Sequence, residues 1–281
     1  MQFRFARSAA AVHPRAMAHA IALIGYGEAG SIFARAGGWG GRASGWDLLP
    51  ARCDAMARDG IDAAASAADA LKGAPLVLSL VTADAALSAA QGYATVLSAG
   101  AMWCDGNSVA PETKAAAARA VEAAGGRYVD MAILAPVNPA QLAVPLLLAG
   151  PAAFDAEKGL RALGFTNVRV VGDEVGQASS IKMIRSVMVK GIEALTAEMI
   201  AAAEAAGVAD EVLASLDASE KAIPWAQKAA YNLERMHTHG VRRAAEMEES
   251  AKTLLSLGVA PVMTRGTIYR QRQAAEKGSE A

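Results

Sequence analysis

The sequence predicts an α/β fold: an N-terminal doubly wound parallel sheet and a C-terminal all-helical domain, joined by one long helix. Two observations support this prediction. Short apolar runs alternate with helix-prone stretches from Ile21 to about Gly172, and glycines or polar residues end each run. Beyond that point the alternation stops, and residues 176–206 form a proline-free helical pattern long enough to connect two domains. We therefore expect a sheet domain over residues 17–174 and a helical domain over residues 175–281.

The composition argues against several classes of function. The chain has 281 residues, of which 53% are apolar and 20% charged, a globular balance with room for two domains. Its formal net charge is −1 and it has no basic run, so nucleic acid is not expected as a main partner. No apolar run reaches the roughly 18–20 residues that a membrane helix needs. Cys53 and Cys104 do not form a metal-type pair, and they suit a reducing cytoplasm.

The first sixteen residues have the composition of a targeting leader, because Arg4, Arg7 and Arg15 occur among alanines with no acidic residue. The alternative is a start codon assigned too early, since Met17 lies four residues before the first apolar run. We favour Met17 as the start and exclude residues 1–16 from the fold.

The first apolar run leads into a glycine-rich turn. Residues 21–24 have the pattern of a buried strand, and Gly25, Gly27 and Gly30 follow in the spacing G-x-G-x-x-G. The first glycine allows a tight turn, the second lets a pyrophosphate approach the backbone, and the third lets the next helix pack closely. That helix would direct its N-terminus at the phosphates of a dinucleotide. The residues expected to bind the cofactor here are Gly25, Tyr26, Gly27, Glu28, Ala29 and Gly30.

An acidic residue follows at the spacing that a dinucleotide site requires. Asp47 lies 22 residues after Gly25, at the end of a predicted strand over residues 42–46. A carboxylate there accepts hydrogen bonds from the adenosine ribose and repels a 2′-phosphate. Leu48 and Leu49 follow Asp47, rather than an arginine that could bind such a phosphate. The pattern predicts a preference for NAD, with NADP as the alternative.

The later strands are expected to end in polar residues at the same edge of the sheet. Strands are predicted at residues 76–81, 101–104, 127–131 and 144–148, and helices at residues 54–60, 84–97 and 111–124. Ligands of open α/β sheets bind beyond the carboxyl ends of the strands. We therefore expect Thr82 and Asn107 beside the cofactor, and Asn107 and Ser108 beside a substrate oxygen. The alternative for the last two is a capping turn before Pro111.

The second part is predicted to be helical throughout, with helices at residues 176–206, 210–216, 225–236 and 239–257 and no strand. On the first of these, Lys182 and Ser186 share one face. A lysine in a cleft can act as a general acid or base. The alternative is an exposed lysine in a surface ion pair.

These motifs resemble those of the β-hydroxyacid dehydrogenase superfamily, which includes 3-hydroxyisobutyrate and 6-phosphogluconate dehydrogenases, over residues 18–272. The glycine-rich turn is similar to the cofactor loop of that family. Residues 105–111 resemble its D-x-S-T-x-x-P substrate segment, and residues 176–186 its catalytic helix, G-x5-K-x3-N. The resemblance implies a Rossmann domain, a nicotinamide cofactor, a homodimer, and Lys182 as the general acid/base. The nearest likeness is to a divergent branch described as phosphogluconate-dehydrogenase-like.

The departures from the family pattern concern the substrate. Leu134-Ala135-Pro136 stands where the family has the Ser-Gly-Gly that cradles a substrate carboxylate, and Ser186 replaces an asparagine. Arg235, His239 and Arg242 are spaced to share one helix face, and arginine suits bidentate binding of carboxylate or phosphate. We expect His239 and Arg242 to replace the lost cradle across a dimer interface; the alternative is a solvated helix face.

The sequence thus predicts a cytoplasmic, NAD(P)-dependent oxidoreductase that acts on a hydroxy acid or related alcohol, with Lys182 as general acid/base. The substrate is expected to be a small anion, and no metal is expected, because no carboxylate or cysteine cluster completes a coordination sphere around His237 and His239. Two alternatives stay open: a reductase of ketones or imines on the same fold, and a non-catalytic regulator that binds a dinucleotide.

Overall fold

A computed structural model describes residues 19–219 and 222–278. Residues 1–16, on which the leader and the early start codon were the competing interpretations, lie outside the described residues. The chain divides into two compact units, one up to Ile184 and one from Arg185 onward. The division falls inside the long helix, so the first turns of that helix, which carry Lys182, belong to the unit that contains the sheet.

An eight-stranded sheet forms the first unit. In spatial order the strands are β3-β2-β1-β4-β5-β6-β7-β8, and all neighbours are parallel except β6 and β7. The strands are β1 (Ile21–Ile24), β2 (Ala43–Trp46), β3 (Asp62–Ala63), β4 (Leu76–Ser79), β5 (Met102–Asp105), β6 (Arg127–Ile133), β7 (Leu146–Ala149) and β8 (Val168–Gly172). The chain reverses its direction of winding between β1 and β4, which is where doubly wound sheets bind ligands.

Helices cover both faces of this sheet, as a parallel sheet requires. They are α1 (Glu28–Ala36), α2 (Pro50–Arg58), α3 (Ala67–Leu71), α4 (Ala86–Tyr93), α5 (Pro111–Ala123) and α6 (Ala153–Ala162). Alternate residues of β1 enter different cores: Ile21 and Leu23 pack on one side of the sheet, Ala22 and Ile24 on the other. The wholly apolar sequence of β1 follows from this burial on two faces.

The prediction of a doubly wound sheet is confirmed, with one departure. Strands β6 and β7 pair antiparallel, with Asp130 opposite Ala149. A parallel pair needs a crossover connection, usually a helix, and the segment between these strands contains only a short 3-10 turn, Gln141–Ala143. Strands β3 and β8 and helices α3 and α6 were not predicted, because they are short or lack a clean period.

The second unit is helical over the residues that the structure describes. It contains most of α7 (Gln177–Ala206), followed by α8 (Ala209–Ser219), α9 (Trp225–Ser256) and α10 (Val262–Gly278). The prediction of two helices at residues 225–236 and 239–257 was wrong: α9 is continuous, because no proline or glycine lies between Met236 and His239. Gly240 in α9 packs so closely against α10 that a Cβ there would overlap the Gln271 carbonyl.

The start of α10 is fixed by one carboxylate within this unit. Glu198 accepts hydrogen bonds from the Met263 and Thr264 amides, at 2.7 and 2.9 Å, and from the Thr264 hydroxyl. These bonds satisfy donors that a helix N-terminus leaves unpaired. Among residues 19–219 and 222–278, none of the helices is both long and apolar enough to cross a membrane.

Candidate active site

The glycine-rich turn lies at the switch point of the sheet and is shaped by contacts that exclude side chains. Gly25 has φ +91°, and a Cβ there would lie 2.5 Å from the Leu80 carbonyl oxygen at the end of β4. A Cβ on Gly30 would lie 2.8 Å from the Gly25 carbonyl oxygen. At Gly27 no atom lies within 4 Å of where a Cβ would stand. Two of the glycines therefore serve packing, and Gly27 faces open space beside the N-terminus of α1.

Tyr26 connects this turn to the end of β2 and to the end of α2. Its side chain is buried, and its hydroxyl donates to Asp59 Oδ2 at 2.8 Å, where Arg35 also donates. Burial raises the pKa of this hydroxyl, and the Asp59 carboxylate raises it further, so it stays a protonated donor. The Tyr26 amide donates to Asp47 Oδ2 at 2.7 Å. Because its ring lies in the core, Tyr26 can offer a cofactor only its backbone.

Asp47 follows β2 and lines a cavity of about 660 Å³ next to the glycine-rich turn. Its two oxygens accept the Tyr26 and Leu49 amides, which fixes the direction of the carboxylate. The cavity is also lined by Gly25, Gly27, Trp46, Leu48, Arg52, Thr82 and Tyr93. Trp46 and Tyr93 meet edge to face, with ring centroids 5.5 Å apart, and form an aromatic wall.

Two further residues line this cavity, one expected from the sequence and one not. Thr82 lines it at the end of β4, and a hydrogen bond with the Thr82 side chain holds the pKa of Asp84 below its usual range. Arg52 also lines it, from the first turn of α2. Arg52 was not predicted from the sequence, because the expectation concerned only an arginine directly after Asp47, and Arg52 lies about one helical turn further on. The cavity therefore contains both a carboxylate and a guanidinium.

A second cavity, of about 420 Å³, brings Lys182 together with the residues at the end of β5. Lys182 Nζ donates to Ser108 Oγ at 2.5 Å, although 74 positions separate them in the chain. Asn107 lines the same cavity, as do Glu28 and Ala29 from the start of α1. Leu80 and Val81 line both cavities, so the two form adjacent parts of one crevice.

Part of the lining of this second cavity is apolar. It consists of Ile133, Ala135, Pro136 and Val137, from the end of β6 and the connection that follows. These residues replace the polar cradle that the sequence analysis found to be missing. The lining of the cavity therefore combines an ammonium, a hydroxyl and an amide with aliphatic groups.

Beneath this cavity lies a buried charged cluster that the sequence analysis did not identify. Lys114 is fully buried, and its Nζ donates to the Asp105 backbone oxygen and to Asp105 Oδ1, at 2.5 and 2.9 Å. The Tyr128 hydroxyl donates to Asp105 Oδ2 at 2.6 Å. Burial raises the pKa of Tyr128, as does the Asp105 carboxylate, so the hydroxyl remains a donor. Asn107 donates to Asp105 Oδ1 from its amide and its side chain, at 2.9 and 2.7 Å.

A second buried carboxylate caps the helix that carries Lys182. Asp130 Oδ2 accepts the Gly176 amide at 3.1 Å and the Ser179 amide and hydroxyl at 2.9 and 3.0 Å. Its other oxygen lies 3.7 Å from Lys114 Nζ. Helix periodicity could have revealed Lys114, because Lys114, Ala117, Ala118 and Val121 form the buried face of α5.

The remaining predicted site residues lie in the second unit. Ser186 is half-buried on α7, one turn after Lys182, while His239 and Arg242 are exposed on α9.

Among the described residues no cluster of three or more histidines, cysteines or carboxylates could bind a metal ion. Burial raises the pKa of the Cys104 thiol to about 12. That thiol therefore stays protonated and unreactive.

Comparison with known proteins places the chain in a family. Residues 20–163 match the NAD-binding domain of 6-phosphogluconate dehydrogenase, and residues 203–274 match a domain of unknown function, DUF1932. Because the first match spans half of the chain, the protein belongs to the family of proteins with the 6-phosphogluconate dehydrogenase NAD-binding domain. The Rossmann domain and the resemblance described from the motifs are thereby confirmed.

The solved structures that are similar over nearly the whole chain include the following three. A conserved hypothetical protein from Sinorhizobium meliloti 1021 is 39% identical, with 92% of this chain and 89% of that chain covered and a TM-score of 0.60. A conserved protein of unknown function, described as structurally similar to 3-hydroxyacid dehydrogenases, is 28% identical, with coverages of 91% and 96% and a TM-score of 0.60. The reductive aminase from Aspergillus terreus, solved with NADPH and ethyl levulinate, is 19% identical, with coverages of 93% and 95% and a TM-score of 0.73. The last likeness concerns the fold alone.

The different surroundings of the glycines yield a matched pair of variants. Gly27→Ala adds a methyl group to open space, so we expect an unchanged melting temperature but NADH binding weakened by about tenfold or more. Gly30→Ala forces the Gly25 carbonyl to move, so we expect a melting temperature lower by several degrees, roughly 4 °C or more. Thermal unfolding and NADH titration by fluorescence measure the two effects. Equal NADH affinity of Gly27→Ala and the parent would show that no phosphate approaches this turn.

Proposed function

We propose that the protein is a nicotinamide-dependent oxidoreductase that transfers a hydride between NAD and a hydroxy acid or related alcohol. The observation that carries this proposal is the contact between Lys182 and Ser108, which line a cavity that adjoins the glycine-rich turn. A proton donor and acceptor thus lies where the reacting end of a dinucleotide bound along the crevice would be expected. The family membership supports the cofactor class and an oxidoreductase.

The residues of the crevice fit a dinucleotide. The backbone around Gly27 and the N-terminus of α1 offer unpaired N–H groups to a pyrophosphate. Asp47 has lone pairs left for the ribose hydroxyls after it accepts two amides, and the wall of Trp46 and Tyr93 offers apolar area to the adenine. When bound, NAD supplies the hydride acceptor at its nicotinamide ring.

The chain's own part in the reaction is proton transfer and orientation. Lys182 Nζ, as the neutral amine, would take the proton of the substrate hydroxyl as the alcohol carbon is oxidised, and the resulting ammonium would return that proton in the reverse direction. Ser108 Oγ, within hydrogen-bond reach of that ammonium, would share the same substrate oxygen and fix its position. The aliphatic wall around Pro136 would exclude water from the reacting carbon.

A second candidate within the same chemistry is the reduction of ketones or imines. It is favoured by the apolar wall of the cavity, where no group is present to cradle a carboxylate, and by the fold shared with a reductive aminase. A regulator that binds NAD without turnover is the third interpretation. A screen of hydroxy acids, alcohols, ketones and amines with both cofactors, followed at the nicotinamide absorbance, separates the three.

Removing the general acid/base should affect chemistry rather than binding. We expect Lys182→Ala to lower turnover by roughly 10²–10⁴-fold and to leave the dissociation constant of NADH within about threefold. The matched control is Lys158→Ala, which removes a lysine that is 80% exposed and pairs with Asp155 at the surface. Steady-state kinetics and NADH titration measure both quantities. Near-full turnover by Lys182→Ala would remove this residue from the mechanism.

The cofactor preference depends on the charge of Asp47. We propose that the parent protein prefers NAD. We expect Asp47→Asn and Asp47→Ala to weaken NAD binding and to reduce the ratio of kcat/KM with NAD to kcat/KM with NADP. Arg52 lines the same cavity and would attract the 2′-phosphate once the repelling carboxylate is removed, so adding Arg52→Ala should lower kcat/KM with NADP again. The measurement is kcat/KM with each cofactor. A parent protein that already uses NADP better would contradict the assignment of Asp47.

We further propose that the protein works as a homodimer. Within α7, Met188, Ile192 and Leu195 expose 51%, 46% and 46% of their surface and recur at helical spacing. An apolar stripe of this kind is normally covered in the functional assembly, and a symmetric dimer would cover it in both copies. The family resemblance supports the same assembly. In such a dimer, Arg242 of one copy is proposed to bind an anionic substrate in the other.

The role of Arg242 can be tested together with the assembly. We expect Arg242→Ala to raise KM for an anionic substrate far more than for a neutral analogue, because a guanidinium binds carboxylate through paired, charge-assisted hydrogen bonds. Arg243→Ala is the control on the same helix.

If Arg242 acts across the dimer, mixing Arg242→Ala with Lys182→Ala should restore about a quarter of the parent activity, through hybrid dimers with one intact site. Equal effects on charged and neutral substrates would contradict anion binding, and a fully active monomer in sedimentation would contradict the dimer.

A further inference from the structure

A fully buried lysine takes no part in the proposed proton transfer, yet it lies between two carboxylates beneath the site. Asp105 and Asp130 are direct partners in the register of β5 and β6, on parallel strands about 4.8 Å apart. Both are buried, with 1% and 0% of their surface exposed. Lys114 Nζ donates to Asp105 at 2.9 Å and lies 3.7 Å from Asp130. Without this ammonium, two adjacent buried carboxylates would repel each other with little water to screen them.

One branch of the cluster leads to Ser108. Asp105 Oδ1 accepts both the amide and the side chain of Asn107, the residue directly before Ser108, and Oδ2 accepts the Tyr128 hydroxyl. The Asn107 side chain also donates to Ser79 Oγ at the end of β4. The turn that carries Ser108 is therefore fixed by the orientation of one carboxylate.

The other branch leads to Lys182. Asp130 Oδ2 accepts three hydrogen bonds from Gly176 and Ser179, at the N-terminus of α7. Ser179 lies three residues before Lys182, so both lie on the same side of that helix. The position of Lys182 therefore depends on where Asp130 stands relative to the sheet.

We propose that Lys114 is a positioning residue that holds Asp105 and Asp130 together and thereby sets Ser108 and Lys182 at hydrogen-bond distance. The proposal rests on the proposed function only for its consequence in catalysis. The structural part of the proposal does not depend on the substrate. One cation joins the two carboxylates; Asp105 fixes the position of Ser108, and Asp130 fixes the position of Lys182. A side chain that served packing alone could be replaced by an uncharged one of similar length.

Lys114→Met is that replacement, and amide hydrogen exchange followed by mass spectrometry or NMR is the measurement. We expect exchange to rise about tenfold or more at the Asn107 amide and at the Gly176 and Ser179 amides, because these N–H groups donate to the two carboxylates. The rest of the sheet should change much less. Val121→Ala, on the same buried face of α5, is the control for a loss of packing. Unchanged exchange at all three amides, or an equal rise throughout the sheet, would overturn the proposal.

Single-branch variants keep the test decisive if Lys114→Met folds poorly. Tyr128→Phe removes a donor to Asp105 alone, so exchange should rise at Asn107 and not at Ser179. Ser179→Ala removes a donor to Asp130 alone, so exchange should rise at Gly176 and Ser179 and not at Asn107. In the parent protein, two aspartates and one lysine give the cluster a formal charge of −1. The double variant Lys114→Met with Asp130→Asn restores this charge, so its cluster amides should exchange more slowly than those of Lys114→Met. Exchange as fast as in Lys114→Met would overturn the electrostatic part.

Catalysis supplies a readout that stability alone would not change. With any substrate that the parent protein turns over, Lys114→Met should lower kcat by about 10²-fold, while KM and the NADH dissociation constant stay within a few-fold. A parallel change in KM and NADH binding, with kcat unchanged, would overturn the positioning role. If the parent protein turns over none of the substrates, the proposed function fails, and the exchange measurements still decide the role of Lys114.

Discussion

A carboxylate cannot be buried without donors or a cation to replace its water, and this constraint shapes the region where β5, β6 and α7 meet. Asp105 and Asp130 together receive an ammonium, a phenol, an amide side chain and four groups from the backbone and side chain of neighbouring turns. The donors come from four places, namely α5, β6, the turn after β5 and the start of α7, so satisfying the two carboxylates fixes the relative positions of these elements. The contact between Lys182 and Ser108 follows from that arrangement.

The crevice above this cluster depends on a second constraint, the absence of side chains at the glycine-rich turn. Gly25 and Gly30 allow the turn to lie against Leu80 and the first turn of α1 to lie against Gly25. The two cavities therefore share Leu80 and Val81 as a common wall. A dinucleotide that extends along this wall would have its ribose beside Asp47 and its reacting end beside Lys182, which is why the proposed function is a hydride transfer.

Much of this could be predicted from the sequence, because it depends on local patterns. The spacing of Gly25, Gly27 and Gly30, the apolar sequence of β1 and the polar residues after β4 and β5 all lie within short segments. The buried cluster could not be predicted in the same way, because Asp130 and Ser179 are 49 positions apart and meet only after the sheet has formed. The antiparallel pairing of β6 and β7 was missed because strand patterns do not encode direction. Arg52 was missed because it reaches the cavity from the next helical turn, whereas the sequence search ended at Leu49.

The central claim is that the crevice transfers a hydride, and the most direct test follows the hydrogen itself. The protein is incubated with NADH that carries deuterium at the reactive nicotinamide carbon and with pooled oxo acids, ketones and imines, and the products are analysed by mass spectrometry. The account predicts that at least one alcohol or amine product appears with deuterium on the carbon that was reduced, and that Lys182→Ala fails to produce it. Tight binding of NADH without deuterium in any product would contradict the account and would indicate a dinucleotide-binding regulator.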